Sequence, residues 1–259
     1  VATGANLANR DLTYIGVSGD GDTASIGMGQ FAHVVRRNMN MLYIVENNGC
    51  YGLTKGQDSA TADVGSTSKS GVPNMYQPID LVRMALDLGA GFVARSFSGD
   101  KDQLIPLIKA AIRHNGFAFI DVVSPCVTFN NTPNSSKSYD YTRDHVETSG
   151  TFDFVPMEEE IVTQYEPGAV EQVQMHDGSV VNLHKLNQAY DPRNRREAFD
   201  ALQAAQMAEQ ILTGLIYIDP DSQELHDTLQ TSRKPLRSLN ESELCPGSQA
   251  LETINDSLR

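Results

Sequence analysis

The sequence predicts an α/β fold: a doubly wound, mostly parallel sheet in residues 1–130, followed by a C-terminal extension in residues 131–259. Short apolar runs alternate with segments of helical periodicity through the first half of the chain, which is typical of parallel sheets with helical crossovers. One run, Phe117–Val123, is apolar almost throughout, as expected for a strand covered on both faces. After about residue 130 the chain becomes polar and rich in loop residues, and this change marks the boundary.

The chain begins with a predicted helix, strand, helix and strand. Residues 1–4 have the composition of the middle of a helix, and apolar runs at Leu12–Val17 and Met41–Val45 predict the first two strands. The helix between these strands is predicted by apolar residues at helical spacing, namely Ile26, Phe31, Val34 and Val35. Together these elements form one crossover between parallel strands.

A polar segment, residues 49–76, separates this unit from the next elements. So long a connection within a compact domain is usually functional, and disorder over residues 58–71 is the alternative interpretation. The elements expected beyond it are a helix over 79–88, a strand over 92–97, a helix capped by Asp100, and the strand 117–123. The expected buried face of the capped helix consists of Leu104, Ile105, Ile108 and Ile112.

The C-terminal extension differs from the sheet domain in its residue composition and periodicity. Val170–Leu186, with Asp177-Gly178 in the middle, resembles a hairpin. Arg193–Leu215 is predicted as a long amphipathic helix, and the tail from Tyr217 has little periodicity. Such a tail gains order mainly by packing on another surface, so we expect residues 131–259 to act as an assembly arm.

Composition excludes several classes of function. The net charge of −13 disfavours binding to nucleic acid or to an anionic membrane. No run approaches the roughly 18 to 20 apolar residues that span a membrane. The three cysteines, Cys50, Cys126 and Cys245, show no metal-ligand spacing among themselves, and an odd count without a secretory signal favours a reducing, cytoplasmic compartment.

Two polar motifs follow the first two predicted strands. Gly19-Asp20-Gly21 follows the first, Asn47-Asn48 follows the second, and 25 residues separate Gly21 from Asn47. The carboxyl ends of neighbouring parallel strands lie side by side, so Asp20 and Asn48 are expected to meet there and to offer oxygen ligands to Mg²⁺. The glycines allow close approach of a phosphate, which also favours the helix N-terminus. Because a carboxylate repels a diphosphate unless a cation lies between them, the pattern predicts a metal and a diphosphate together.

This arrangement resembles the thiamine diphosphate motif of thiamine-dependent enzymes. The run Tyr51-Gly52-Leu53-Thr54-Lys55-Gly56-Gln57 and the later Ser124-Pro125-Cys126 resemble the β subunit of 2-oxoacid:ferredoxin oxidoreductases. The resemblance implies a thiamine diphosphate-binding fold and a reversible oxidative decarboxylation of a 2-oxoacid. The products are an acyl-CoA and CO₂, and the electrons pass through iron–sulfur to ferredoxin. We expect 2-oxoglutarate as the substrate, with pyruvate as the alternative.

The resemblance also implies how the motif residues hold the cofactor and its metal. Asp20 and Asn48 are the expected side-chain ligands of Mg²⁺, and the backbone carbonyl of Cys50 completes the protein's share. The residues expected along the diphosphate are Gly19, Gly21 and Asp22. Two simpler interpretations stay open: Asp20 as an ordinary turn or N-cap aspartate, and Asp22 as the cap of a helix beginning near Thr23.

The later motifs carry the remaining site residues. Leu53 and Thr54 correspond to the family's loop around the diphosphate and thiazolium, with an ordinary loop as the alternative. Lys55 is the catalytic candidate, because a cation there attracts the carboxylate of a 2-oxoacid; otherwise it is a solvated lysine. Cys126 corresponds to the fourth ligand of a [4Fe–4S] cluster, and an inert thiol is the alternative.

The family resemblance implies partners for this chain. The acid that tunes the aminopyrimidine comes from an α subunit, so the site is an interface site in an αβ or (αβ)₂ assembly that also uses ferredoxin and coenzyme A. Relatives carry a Cys-x-x-Cys pair and a further cysteine ahead of the point where this sequence starts, so an N-terminal part is expected to be missing.

Two other functions compete with this interpretation. Gly19-x-Gly21-x-x-Ala24, with Glu46 about where a ribose-binding acid falls, also fits a loose dinucleotide fingerprint of an NAD-binding dehydrogenase. In that case Asp20 and Asp22 would face a pyrophosphate without a metal. The other alternative is a thiamine-binding scaffold subunit that has lost its cluster.

Overall fold

The computed structural model describes residues 1–66, 71–124, 126, 136–137, 139–148, 170–174, 180–184, 190–245 and 247–258. Its helices are α1 (Ala2–Ala8), α2 (Met28–Arg36), α3 (Leu81–Leu88), α4 (Lys101–Arg113), α5 (Tyr139–His145), α6 (Arg195–Met207), α7 (Leu225–Leu229), α8 (Glu241–Leu244) and α9 (Gly247–Ser257). Its strands are β1 (Ile15–Gly19), β2 (Met41–Asn47), β3 (Cys50–Tyr51), β4 (Gln57–Asp58), β5 (Phe92–Phe97), β6 (Phe117–Val123), β7 (Val146–Thr148), β8 (Val170–Gln174), β9 (Val180–His184) and β10 (Ile211–Ile218). A π-helical turn, Gly21–Ile26, joins β1 to α2, and a short 3-10 helix covers Leu236–Ser238.

The main sheet has the strand order β1-β2-β6-β5-β10-β7. Strands β1, β2, β6 and β5 run parallel, β10 runs antiparallel to β5, and β7 runs parallel to β10. Because β1 and β2 are adjacent and parallel, both of their carboxyl ends lie on one edge of the sheet. The predicted α/β fold with a mostly parallel sheet is confirmed.

Two apolar cores cover the two faces of this sheet. The side chains of β6 alternate between them: Phe117 and Phe119 pack into the core that contains α2, α3 and α6, whereas Ala118 and Ile120 pack into the core that contains α4. Every residue of β6 is buried. A strand buried on both faces is apolar almost throughout, as the sequence predicted.

The predicted helix Arg193–Leu215 is wrong beyond Met207. Glu209 adopts a left-handed φ of 57°, the chain reverses, and Ile211 and Leu212 lie in β10 instead. The run Ile211–Ile218 is buried along most of its length, so it lacks the polar positions of a surface helix. Strands from both sides of residue 130 therefore build the same sheet.

The exposed positions of two helical segments also differ from the prediction. Ile26 is 78% exposed because it ends the π-helical turn and is out of phase with α2. In α4, Ile105 and Ile112 are exposed, and Leu107 takes the buried position. The predicted N-cap of α4 is confirmed, since the Asp100 carboxylate accepts a hydrogen bond from the Gln103 N–H at 3.1 Å.

The predicted hairpin is confirmed by β8 and β9, which pair antiparallel; its Asp177-Gly178 turn lies outside the described residues. The tail contacts the start of the chain, because the Arg10 guanidinium pairs with the buried carboxylate of Glu224 at 2.9 Å. In the described ranges we find no helix long and apolar enough to cross a membrane.

Candidate cofactor and metal site

Asp20 lies directly after β1 and is 1% exposed. It occupies the N-cap position of the π-helical turn, yet its side chain makes no capping hydrogen bond. Instead, its carboxylate accepts hydrogen bonds from the Asn48 backbone N–H at 3.3 Å, the Thr61 hydroxyl at 2.6 Å and the Ser59 hydroxyl. The Asp20 side chain therefore does not cap the turn, although the residue stands at its N-cap position.

The paired asparagines end β2 and point in different directions. Gly19 is level with Glu46 in the parallel register, which brings Asn48 to the end of β1. The Asn48 Oδ1 accepts a hydrogen bond from the Cys50 N–H at 2.9 Å. The Asn47 side chain is buried and contacts other polar groups. Asp20 and Asn48 thus meet at one sheet edge, as their spacing predicted.

The π-helical turn after Asp20 begins at Gly21, where the Tyr51 ring packs closely against the backbone. The Tyr51 hydroxyl donates to the Gly21 carbonyl at 2.9 Å, and a Cβ on Gly21 would lie 2.5 Å from the Tyr51 ring. The Gly27 N–H donates to the Asp22 carbonyl at 2.7 Å, so the turn is π-helical, a feature often found at functional sites. Asp22 is exposed within this turn, and the interpretation of Asp22 as the helix cap is wrong.

A cavity of about 580 Å³ opens above these residues. Eight of the predicted site residues line it: Gly19, Asp20, Gly21, Asp22, Asn48, Cys50, Leu53 and Thr54. Its other lining residues are Ile26, Tyr51, Gly52 and Gln57. A cavity of this size suits a small-molecule cofactor, and the predicted diphosphate and metal residues converge on it.

The loop between β3 and β4 forms one wall of the cavity. Its turn is closed by a hydrogen bond from the Gly56 N–H to the Tyr51 carbonyl at 2.8 Å. Leu53 is 99% exposed at the rim, and Thr54 donates to the Gln57 side chain at 2.5 Å. Lys55 is exposed, has a left-handed φ of 81°, and is not among the residues that line the cavity. The structure therefore does not bring Lys55 together with the other predicted site residues.

Cys50 and Cys126 are neighbours beside the cavity. Burial, reinforced by the neighbouring Cys126 sulfur, raises the pKa of the Cys50 thiol to about 12. Because a hard cation such as Mg²⁺ takes oxygen ligands, the backbone carbonyl of Cys50 rather than its sulfur is the part suited to that ion. Cys126 is half-buried and does not line the cavity. Over the described ranges, no three His, Cys, Asp or Glu side chains are grouped to hold a metal ion.

A buried polar network beneath Asp20 was not predicted. The Asn47 Oδ1 lies 2.9 Å from the Thr61 hydroxyl, the Asn47 amide donates to Asp121 at 3.1 Å, and Arg95 donates to Asp121 at 2.9 Å. Burial raises the pKa of Asp121, while the Arg95 guanidinium opposes that shift. A lone aspartate within the apolar strand 117–123 was the available signal, because a buried carboxylate requires a partner.

Two family models match the chain. Residues 1–122 match the model described as thiamine pyrophosphate enzyme, C-terminal TPP binding domain, and residues 178–234 match the model for the C-terminal part of the pyruvate ferredoxin oxidoreductase β chain. A 2-oxoacid:ferredoxin oxidoreductase subunit beta from a Sulfolobus species is 45% identical over 140 residues, which are 54% of this chain and 46% of that protein. The chain is related to the β subunits of 2-oxoacid:ferredoxin oxidoreductases. The predicted resemblance is confirmed.

Further relatives of this β-subunit family include the 2-oxoglutarate oxidoreductase subunit KorB of Mycobacterium tuberculosis, 40% identical over 131 residues, which are 50% of this chain and 35% of that protein. The chain thus spans less than half the length of these curated relatives. A solved 2-oxoglutarate:ferredoxin oxidoreductase from Magnetococcus marinus, with 2-oxoglutarate, coenzyme A and succinyl-CoA bound, has a TM-score of 0.66 and 28% identity, covering 93% of this chain and 69% of that chain. The α/β fold is shared with that structure.

Proposed function

We propose that this chain is the β subunit of a 2-oxoacid:ferredoxin oxidoreductase and that it holds thiamine diphosphate and Mg²⁺. The observation that carries the proposal is the convergence of Asp20 and Asn48 on one cavity beside the Gly21 turn. A hard cation requires oxygen ligands, and these two side chains supply them from adjacent strand ends. The donor set therefore fits the metal and the diphosphate.

Each part of the cavity has a defined task in this proposal. Asp20, Asn48 and the carbonyl of Cys50 would hold the ion, whose charge would offset that of the diphosphate. Gly19, Gly21 and Asp22 lie along the diphosphate. When bound, thiamine diphosphate supplies a nucleophilic carbon and an electron sink for decarboxylation of the 2-oxoacid. The protein orients that group and excludes water from it.

In this proposal the site is completed by an α subunit. Leu53 and Ile26 are 99% and 78% exposed at the cavity rim, and apolar side chains in such a position are suited to a protein partner. The partner also supplies the acid beside the aminopyrimidine, in an αβ or (αβ)₂ assembly. The β chain alone is therefore inactive.

The reaction we propose converts a 2-oxoacid and coenzyme A to an acyl-CoA and CO₂, with the electrons passed to ferredoxin. The names of the relatives from M. tuberculosis and M. marinus favour 2-oxoglutarate over pyruvate. Lys55 is proposed to attract the distal carboxylate of that acid when the partner covers the loop. For a [4Fe–4S] cluster, Cys126 supplies one thiolate; the described part of the chain holds no complete ligand set, and we assign no electron step to it.

A direct test uses the complex of this chain with its α partner. The complex should reduce a viologen dye with 2-oxoglutarate and coenzyme A, and more slowly with pyruvate, while the β chain alone should show no turnover. Full activity of the isolated chain would contradict the interface site. A complex that binds thiamine diphosphate but turns over neither acid would support the scaffold alternative, and the visible absorption of the purified complex reports whether a cluster is present.

The dinucleotide alternative lacks structural support. Glu46, its ribose-binding candidate, is exposed and does not line the cavity. Dinucleotide-binding folds hold a pyrophosphate at this position without a metal, and the Asp20 carboxylate would repel it there. Binding of NAD without Mg²⁺ would reverse this conclusion.

A further inference from the structure

Two hydroxyl side chains lie beneath the cavity without lining it. Ser59 and Thr61 follow β4 and are 6% and 1% exposed. Their backbone is fixed from several sides: the Ser59 N–H donates to the Gly49 carbonyl at 3.2 Å, and the Ala60 N–H donates to the Ser25 hydroxyl at 3.1 Å. The two hydroxyls therefore have defined positions relative to the end of β1.

Both hydroxyls contact the same oxygen of Asp20. Ser59 and Thr61 donate to the Asp20 Oδ2, the latter at 2.6 Å, while the Asp20 Oδ1 accepts the Asn48 N–H at 3.3 Å. The two hydroxyl oxygens are also 3.0 Å apart. Donors on both oxygens fix the rotation of the carboxylate about its side-chain bonds, so its orientation is set before any ligand binds.

Thr61 has a second contact that connects Asp20 to the centre of the sheet. Its Oγ1 lies 2.9 Å from the Asn47 Oδ1, and the Asn47 amide is oriented by its hydrogen bond to Asp121 at 3.1 Å. Asp121 is in turn paired with Arg95 at 2.9 Å. The single hydroxyl proton of Thr61 goes to Asp20, so Thr61 packs against this buried, charged network of β5 and β6 at the Asn47 oxygen.

We propose that Ser59 and Thr61 are positioning residues for the divalent cation: through their hydrogen bonds to Asp20 they hold this carboxylate in the orientation that binds the ion. The inference rests on the proposed function, since it concerns the metal of that site. Outer-shell partners of metal ligands typically change metal affinity about 10- to 100-fold when they are removed.

The test measures binding rather than turnover. In the αβ complex with saturating thiamine diphosphate, Mg²⁺ is titrated by calorimetry for the wild type, Thr61→Val, Thr61→Ser and Ser59→Ala. Thr61→Val keeps the side-chain shape and removes the hydroxyl, so the apparent Kd for Mg²⁺ should rise about 10- to 100-fold. Thr61→Ser retains the hydroxyl and should lie within about threefold of the wild type on the same scale.

Thr213→Val is the matched control, because Thr213 is 1% exposed in β10 and contacts Gln103 at 3.3 Å, away from the cavity. It should leave the Kd for Mg²⁺ unchanged. Equal Kd values for wild type, Thr61→Val and Ser59→Ala would overturn the inference while leaving the proposed function intact. A wild-type complex that binds no Mg²⁺ would overturn both. If Thr61→Val does not fold, Ser59→Ala decides: about a tenfold loss supports the inference, and no change refutes it.

Discussion

Replacing Gly21 by alanine tests the packing of the π-helical turn Gly21–Ile26 against the ring of Tyr51. An added Cβ would lie 2.5 and 2.6 Å from two ring atoms of Tyr51, whereas carbon atoms normally approach to about 3.5–4.0 Å. The ring must retreat by about 1 Å, and such overpacking costs about 1–3 kcal/mol. Loss of the hydrogen bond from the Tyr51 hydroxyl to the Gly21 carbonyl adds about 1 kcal/mol to that cost. Alanine lowers the conformational entropy of the unfolded chain relative to glycine, and this offsets about 0.5–1 kcal/mol of the cost. We expect a net destabilisation of about 1–3 kcal/mol, measured by urea unfolding.

The chain offers a matched glycine with the opposite expectation. Gly29 lies exposed in α2, and an added Cβ there meets nothing within 4 Å, so Gly29→Ala should stabilise the fold by about 0.5–1 kcal/mol. In a Tyr51→Ala background the Gly21→Ala penalty should largely disappear, because the clashing ring is absent. Equal stability of Gly21→Ala and Gly29→Ala would refute the proposed packing constraint.

Two further predictions concern buried charged and titratable groups. Burial lowers the pKa of His114 from 6.5 to about 4, so the unfolded chain binds the proton more tightly, and stability present above about pH 6.5 is lost as the pH falls toward about 4. Between about pH 7.5 and about pH 4.5, the wild type should lose about 2.5 kcal/mol more than His114→Gln in urea unfolding, and parallel pH profiles would contradict this. Arg95→Met leaves the carboxylate of Asp121, 1% exposed, without its cation and should cost about 3–5 kcal/mol in the same assay at neutral pH; a loss below about 1 kcal/mol would show that the ion pair contributes little.

The positions of Gly19-Asp20-Gly21 and Asn48 at the ends of β1 and β2 were predictable because their sequence signals are local. An apolar run followed by Gly19-Asp20-Gly21 and a second run followed by Asn48 fix which residues share a sheet edge, once the strands are parallel. These local motifs were enough to predict that Asp20 and Asn48 lie together, as they do in the structure.

The parts that the sequence did not predict depend on tertiary contacts. Ile211 and Leu212 fit the helical pattern of α6, but in the fold they pair with Val146 and Glu147 of β7, and the later residues of β10 pair with β5. Thr61 reaches Asp20 because residues 59–61 fold back under the cavity, and nothing in the composition of the polar segment identifies that path. Lys55 is adjacent to cavity residues in the chain, but its left-handed turn places it outside the lining.

The most direct test of the account is a calorimetric titration of thiamine diphosphate into the complex of this chain with its α partner, with and without Mg²⁺. The wild type should bind the cofactor only in the presence of the divalent ion. Asp20→Ala and Asn48→Ala should each weaken that binding by at least about tenfold, because each removes one oxygen ligand of the ion. Unchanged affinity in both variants, or tight binding after the metal is chelated, would contradict the central claim that these two side chains hold the ion and, through it, the diphosphate.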